Sequence, residues 1–428
     1  MIIMFLEKAF PHSLTSKGLF TILGYGSKGG VTMKTIYMDN NATTQAAPEV
    51  LESMLPYFHD LYGNASSAHS FGGHAAQKIA EAREEVAHLV GARPEEIIFT
   101  SGGTESDNAA IRSALINQPD KHHVVTSQVE HPAIRSLCRH LARQGYRISE
   151  IPVNAKGELD MLRYEQSLTP DTAIVSLMWA NNETGVLFPV EEAARMADDR
   201  GIPFHTDAVQ MVGKLPINLE RSAIHMLSLS GHKLHGPKGI GVLYVRKGSR
   251  FRPFIIGGHQ EKNRRAGTEN TPGIIGLGKA CELAALRMKE ENSRVRQLRD
   301  MLESSILSNV PHTQINGGEV PRLPNTSNIS FEFVEGEAIL LHLDEYGICV
   351  STGSACTSGS LEPSHVMLAM GLSPVMAQGS IRFSLSLYNR QEEINTVVEK
   401  LPGIIEKLRG LSPLWHSGRQ AGAGGHKA

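Results

Sequence analysis

The stretch Ser230-Gly231-His232-Lys233-Leu234-His235-Gly236 sets a lysine where an apolar run, Met226 to Ser230, gives way to a glycine-rich turn. Open α/β folds bind their ligands at the carboxyl ends of their strands. A lysine held there in a low dielectric, beside a fixed carbonyl partner, has an amine suited to Schiff-base chemistry. On its own the residue reads better as a surface lysine in a turn. His232 and His235 stand three apart, but no third ligand follows at a suitable spacing, so no resident metal is expected.

A second strand end changes the weighting. Phe204-His205-Thr206-Asp207-Ala208-Val209-Gln210 closes an apolar run on an aspartate. A buried carboxylate is costly without a cationic partner. A protonated pyridine nitrogen would be that partner, and a helix N-cap is the plainer alternative. Asp207 and Lys233 on successive strand ends are what a pyridoxal electron sink requires. Its phosphate needs fixed donors at a helix start, and Thr100-Ser101-Gly102-Gly103-Thr104-Glu105 supplies a strand, a small-residue loop and Thr104 as N-cap. Backbone amides and the helix dipole favour a phosphate dianion there, with Ser230 and His232 as further side-chain donors. Many folds share such a turn; it gains weight here from Asp207 and Lys233.

The elements that must position these residues alternate. Strands are expected at 96–100, 123–126, 173–180, 203–206, 226–230 and 241–245, with helices from about Thr104 and from Pro132. Ile79, Ala82, Val86 and Leu89 recur at helical spacing, as in a sheet-covering helix. The pattern argues for a largely parallel sheet with helices on both faces. A long helical stretch, 274–307, then leads to strands at 329–333 and 381–384, a helix from Glu337 and a final helix with Ile394, Val397, Leu401 and Ile405 on one face. Asn389 and Glu392 resemble its capping box, and Pro402-Gly403 should kink it.

The 428 residues suffice for more than one domain. Lys plus Arg (42) nearly balances Asp plus Glu (44), so no overall field favours nucleic acid or a membrane surface. No apolar stretch approaches transmembrane length. The four cysteines are scattered, with no C-x-x-C pair, which fits a reducing cytoplasm better than a disulfide scaffold. Cys138, Cys281 and Cys349 read as core residues. Residues 1–32 read as an N-terminal extension, either disordered or ahead of a start at Met33. Their Gly24-Tyr25-Gly26-Ser27-Lys28-Gly29 matches a dinucleotide fingerprint but no amphipathic helix follows, so that reading is rejected. Residues 413–428 read as a flexible tail.

Taken together the motifs resemble those of group-one cysteine desulfurases of the NifS/IscS type, in the class V aminotransferase superfamily. The matching stretches are Tyr37 to Thr44, Thr100 to Asn108, Trp179 to Gly185, Asp207 to Gln210, Ser230 to Gly239, Arg265 to Asn270 and Gly353 to Ser360. They cover nearly all of residues 35–412 and are closest to the nitrogen-fixation NifS pattern. The resemblance implies a type I fold of pyridoxal-phosphate-dependent transferases: a large domain (46–285) with a mostly parallel seven-stranded sheet, and a smaller α+β domain (33–45 and 286–412). It also implies roles. Lys233 carries the cofactor, Asp207 pairs with the ring nitrogen, His131 stacks on the ring and Asn182 and Gln210 reach its hydroxyl side. Gly103, Thr104, Ser230, Gly231 and His232 hold the phosphate, with Thr268 reaching in from the second subunit of a homodimer. Arg382, with Asn182, takes the substrate carboxylate.

Cys356 decides which reaction is implied. It lies in Ser351-Thr352-Gly353-Ser354-Ala355-Cys356-Thr357-Ser358-Gly359-Ser360, a small-residue run without apolar periodicity that reads as a mobile loop bearing a reactive thiol. The resemblance implies that Lys233 moves the α-proton of L-cysteine and Cys356 attacks the substrate sulfur, leaving a persulfide and alanine. His131 is a candidate acid or base. The sulfur would go to an iron–sulfur scaffold protein of the NifU kind, for nitrogenase or housekeeping cluster assembly. Selenocysteine lyase and plain aminotransferase are rivals on the same fold. A non-catalytic iron–sulfur scaffold using Cys349 and Cys356 is a third; as a transient cluster ligand, Cys356 also fits the desulfurase.

Overall fold

The computed structural model describes residues 34–352, 363–413 and 415. The expectations for residues 1–32, for Cys356 and its neighbours at 353–362, and for the tail beyond 415 fall outside them. Everything below lies in the unit that begins at Ile36.

A seven-stranded sheet is built from β2 (Ile97–Thr100), β3 (His123–Ser127), β4 (Arg147–Ile151), β5 (Thr172–Met178), β6 (Phe204–Asp207), β7 (Met226–Ser230) and β8 (Gly241–Val245), in the order β2-β8-β7-β6-β5-β3-β4. The pairs from β7 to β4 are parallel, while β8 runs antiparallel to both its neighbours. All seven residues of β5 are buried, as expected where helices cover both faces. Each fully buried Ile, Val or Leu there contributes about 2 kcal/mol.

The strand pleat sends alternate residues to two cores. Ile97, Phe99, Val242 and Tyr244 join the core under α1 (Ser70–Val90), whereas Ile98 and Leu243 face α2 (Gly103–Asn117) and α3 (Pro132–Arg143). In α1, Ile79, Ala82, Val86 and Leu89 all point inward. Gly91 ends α1 in the left-handed conformation, φ 62°, which a residue without Cβ adopts freely. The strand β4 was not expected: its Arg147-Ile148-Ser149-Glu150 is too polar to read as a buried run, and it forms the sheet edge.

A third core lies beyond the sheet. The helix α4 (Thr271–Glu290) passes through a π-helical turn, Glu291–Val295, into α5 (Arg296–Asn309). There α5 packs with β9 (Thr313–Ile315), β10 (Thr326–Phe331), α6 (Gly336–Asp344), β12 (Ser380–Ser384) and the final helix, which follows α7 (His365–Ala369) and is labelled α8 (Gln391–Leu411). The strands order as β12-β10-β9, all antiparallel. The first strand of the unit, β1 (Ile36–Tyr37), pairs with β11 (Ile348–Cys349). The cap of α8 sits one residue later than expected: the Glu393 carboxylate accepts the Arg390 N–H at 3.3 Å and an Asn389 Nδ2 hydrogen at 3.0 Å. Pro402 lies inside α8, which continues to Leu411. Past its end the Trp415 ring lies 5.4 Å from those of His312 and Phe333 and 5.2 Å from the Arg409 guanidinium. Among the described residues no helix is long and apolar enough to cross a membrane.

Candidate active site

The strand ends of β5, β6 and β7 open into a cleft of about 280 Å³. Ten of the residues singled out in the sequence line it: Gly103, Thr104, His131, Asn182, Asp207, Gln210, Ser230, His232, Lys233 and Arg382. Gly231 is buried in the turn instead, where its carbonyl accepts the N–H groups of Leu234 and Gly236. Thr268 is exposed and is not part of the cleft wall of its own chain.

Lys233 follows β7 in a short 3₁₀ turn. Its Nζ donates to the carbonyl of Asn41 and, at 2.7 Å, to that of Ala42. Asp207 ends β6, and its Oδ1 accepts the Val209 N–H at 2.9 Å. Burial pushes the Asp207 carboxyl up, against the pull of His131, Val209 N–H and Lys233. The backbone N–H of the buried Trp179 donates to the Asp207 carbonyl at 2.9 Å and fixes the strand end. His131 caps α3, its Nδ1 accepting the Ala133 N–H at 3.2 Å, so a neutral ring carries its proton on Nε2. Burial lowers its pKa. Burial, then Lys233, holds His232 down at about 4, and its Nδ1 meets Thr43 Oγ1 at 3.1 Å.

The start of α2 departs from the sequence reading. Its N-cap is Gly102, with φ 153°, and Thr104 sits in the first turn. Arg382 on β12 is buried, its Nη2 2.7 Å from Asp39 Oδ1 and its Nη1 donating to Asn182 O at 3.1 Å.

Pyridoxal phosphate fits these residues on four observations. The first amides of α2 lack intrahelical partners and open on the cleft, and a Cβ on Gly103 would come within 2.8 Å of Val209 Cγ2. Asp207 is a buried carboxyl with no ion pair within 4 Å among the described residues. Gln210 Nε2 donates to Asn41 O at 3.0 Å, while its buried Oε1 has no partner. Arg382 Nε is likewise buried and unmatched.

Sequence reasoning missed Asn41 and Ala42, whose carbonyls anchor Lys233, and Asp107. The side chain of Asp107 is fully buried in the cleft wall on α2, with Oδ1 unpartnered and His205 Nε2 3.6 Å away. Burial and the neighbouring Asp207 push its carboxyl well up. His205 stays neutral, held at about 3 by burial, between hydroxyls of Ser176 and Ser228, each at 2.9 Å.

Behind the Lys233 turn lies a second cavity of about 40 Å³, walled by Leu283, Ala284, Leu385 and Leu387 together with Lys214 and Glu291. Burial pushes Lys214 down to about 8 and Glu291 up to about 7. Lys214 Nζ donates to Gln210 O at 3.1 Å.

The aminotransferase class-V family model matches residues 36–397, which is most of the chain. The chain belongs to that family. Class-V aminotransferases are pyridoxal-phosphate enzymes, as the cleft independently indicates. The chain is 57% identical over 384 residues to a cysteine desulfurase NifS of Azotobacter vinelandii, covering 90% of this chain and 96% of that one. It is 56% identical over 381 residues to a cysteine desulfurase of Trichormus azollae, covering 89% and 95%. A solved NifS-like protein from Rickettsia africae superposes with a TM-score of 0.79 at 34% identity, covering 87% of this class-V chain and 100% of the other.

Proposed function

We propose that this class-V enzyme is a cysteine desulfurase, converting L-cysteine and the Cys356 thiol into L-alanine and a Cys356 persulfide. What carries the reading is the group of residues that lines one cleft around the Lys233 amine: Asp207, a buried carboxyl without an ion pair among the described residues, with Gln210 Oε1 and Arg382 Nε, both buried and unmatched, in a chain more than half identical to named desulfurases. Bound pyridoxal phosphate supplies an electrophilic carbonyl for the substrate amine and a conjugated ring that takes up the electron pair left at the α-carbon.

The protein's own part follows from the site. Lys233 would hold the cofactor through its Nζ, and the same amine is placed to take the substrate α-proton. Asp207 keeps a proton on the ring nitrogen, as a buried anion does for a cation beside it. The α2 amides at Gly103 and Thr104, with Ser230 and His232, would hold the phosphate, and His131 would lie against the ring. Asn182 and Arg382 take the substrate carboxylate; Arg382 is pre-set for this by Asp39, which fixes one edge of its guanidinium. The Cys356 thiolate attacks the substrate sulfur. The substrate C–S bond breaks as the S–S bond forms, a proton fills the vacated carbon, and alanine leaves.

Homodimerisation is part of the proposal, with Thr268 completing the phosphate site of the partner. Its support is the exposed apolar surface of Leu55 (56%), Phe58 (62%), Tyr62 (71%) and Ile256 (86%). The division into domains at 46–285 and at 33–45 with 286–412 is supported by the separate core of α5, β10, β12 and α8. An iron–sulfur scaffold of the NifU kind is the proposed acceptor, and a nitrogenase role is favoured by the likeness to NifS. Buried Cys138 and Cys281 are free thiols, which suits a reducing cytoplasm.

The test is alanine formation from L-cysteine, with a thiol reductant, by the parent and by Cys356→Ser. Alanine from the parent alone, with the cofactor band present in both, is expected. Equal alanine from both removes Cys356 from the reaction, and none from either removes the desulfurase reading.

A further inference from the structure

Residues 353–362 are not described, but the chain on each side of them is tied to the cleft. Upstream, Ser351 bridges to Arg382: Ser351 N–H donates to Arg382 O at 3.2 Å and Arg382 N–H to Ser351 O at 2.7 Å. Downstream, Ser364 Oγ donates to Glu183 Oε2 at 2.5 Å. The next residue, His365, donates from Nε2 to the Glu130 carbonyl at 3.2 Å. Burial keeps His365 neutral, at about 4, consistent with one N–H serving that carbonyl. Each tie therefore lands on a cleft residue or its immediate neighbour: Arg382 itself, Glu183 beside Asn182, and Glu130 beside His131.

The Glu183 tie is the unusual one. Glu183 is 2% exposed, and a polar group so buried is costly unless its oxygens accept hydrogen bonds. Burial opposes its charge, while Ser364, Arg382 and Arg135 favour it. Ser364 Oγ already accepts the N–H groups of Val366 at 3.1 Å and Met367 at 3.3 Å, so its lone pairs are taken and its only proton goes to Glu183. The bond thus has one direction and needs an acceptor at 183. It closes a contact across 181 positions of sequence.

We propose that Glu183 is a positioning residue for sulfur transfer: by holding Ser364 it fixes the downstream stem of the Cys356 segment against the loop that carries Asn182. It acts on the sulfur-transfer step through Ser364, without touching substrate or cofactor. This rests on the desulfurase reading above.

The experiment uses holoenzyme of the parent, Glu183→Ala, Glu183→Gln and Ser364→Ala. Three quantities are read: the visible cofactor band, the L-cysteine concentration that half-saturates its spectral change, and single-turnover alanine formation. In Glu183→Ala the band persists and half-saturation stays within about twofold, since ground-state binding is untouched. Alanine formation slows about tenfold or more, the loss expected when the buried Ser364 hydroxyl is left without its acceptor. Ser364→Ala slows it similarly, the double variant is no slower than either single one, and Glu183→Gln, which retains an acceptor oxygen, recovers most of the rate. A parental rate in Glu183→Ala overturns the proposal. So does loss of the band or weakened half-saturation, which would mean that Glu183 only supports the fold or the substrate pocket. If Glu183→Ala does not fold, Ser364→Ala and Glu183→Gln decide: a parental rate in the first, or no difference between the two, overturns it. Cys356→Ser in the parent separates the two levels, because equal alanine there sinks the desulfurase reading itself.

Discussion

The two cavities on either side of the Lys233 turn each contain a lysine, half-buried in front and buried behind, and a buried acid, yet they differ in what those groups face. At the rear, Lys214 and Glu291 share a wall with Leu283, Leu385 and Leu387 and with Asn40, His235 and Arg287, and burial drives both toward their uncharged forms near neutral pH. At the front, Gln210 Oε1, Asp107 Oδ1 and Arg382 Nε have no partner and border an open volume. Buried charge by itself therefore does not mark a site in this molecule. Unused hydrogen-bonding capacity around a space does.

The sharpest way to break that contrast is to exchange the lysines' fates. Lys233→Ala is expected to lower turnover by about 10³-fold or more and to leave cofactor that gel filtration removes. Replacing the rear pair together, Lys214→Met with Glu291→Leu, is expected to leave turnover within a few-fold and the Tm equal or higher, as apolar replacement of buried ionisable groups often allows. Loss of turnover in the double variant would erase the distinction. Next in size, Asp207→Asn should reduce turnover by about 10²-fold, as for loss of one electrostatic stabiliser, measured by alanine release at saturating cofactor. Gly103→Ala pushes a methyl to 2.8 Å from Val209 Cγ2. Strain of about 1–2 kcal/mol should weaken cofactor binding to the apoprotein by about tenfold, read by equilibrium titration.

The smallest effect concerns Glu130, under the front cleft. Its Oε1 accepts from Ser127 Oγ at 2.6 Å and Met178 N–H at 3.0 Å, its Oε2 has no partner, and burial raises its pKa from 4.5 to about 8. A raised carboxyl contributes stability that is complete below the unfolded value and is lost as pH rises through the folded one. The Tm of Glu130→Gln relative to the parent should therefore climb between about pH 5 and about pH 8. A flat difference would show Glu130 to be ionised throughout.

Asp207 and Lys233 were legible in the sequence because each ends an apolar strand run, where a charged side chain contradicts its neighbours. The sheet was legible for the same reason, since its central strands are continuous apolar runs; β4 was not, being half polar at an edge. Asn41 and Ala42 act through carbonyls, which carry no signature of residue type, on a lysine 192 and 191 positions away. Asp107 escaped notice because an aspartate in the first turns of a helix is ordinary, and only the fold reveals that it is buried beside Asp207. The misplaced cap of α8 was a slip of one residue between two glutamates, Glu392 and Glu393, that local pattern does not separate.

The chain has two tryptophans, and they sit in contrasting places: Trp179 is buried with its backbone bound to Asp207, whereas Trp415 rests against Arg409, His312 and Phe333 past the end of α8. The molecule thus contains two optical reporters. A chromophore in the cleft that absorbs where indole emits will quench Trp179, whose chain neighbours Met178 and Ala180 line the cleft. In Trp415→Phe the remaining emission becomes a direct gauge of cleft occupancy, and in Trp179→Phe it follows the packing of α8 alone.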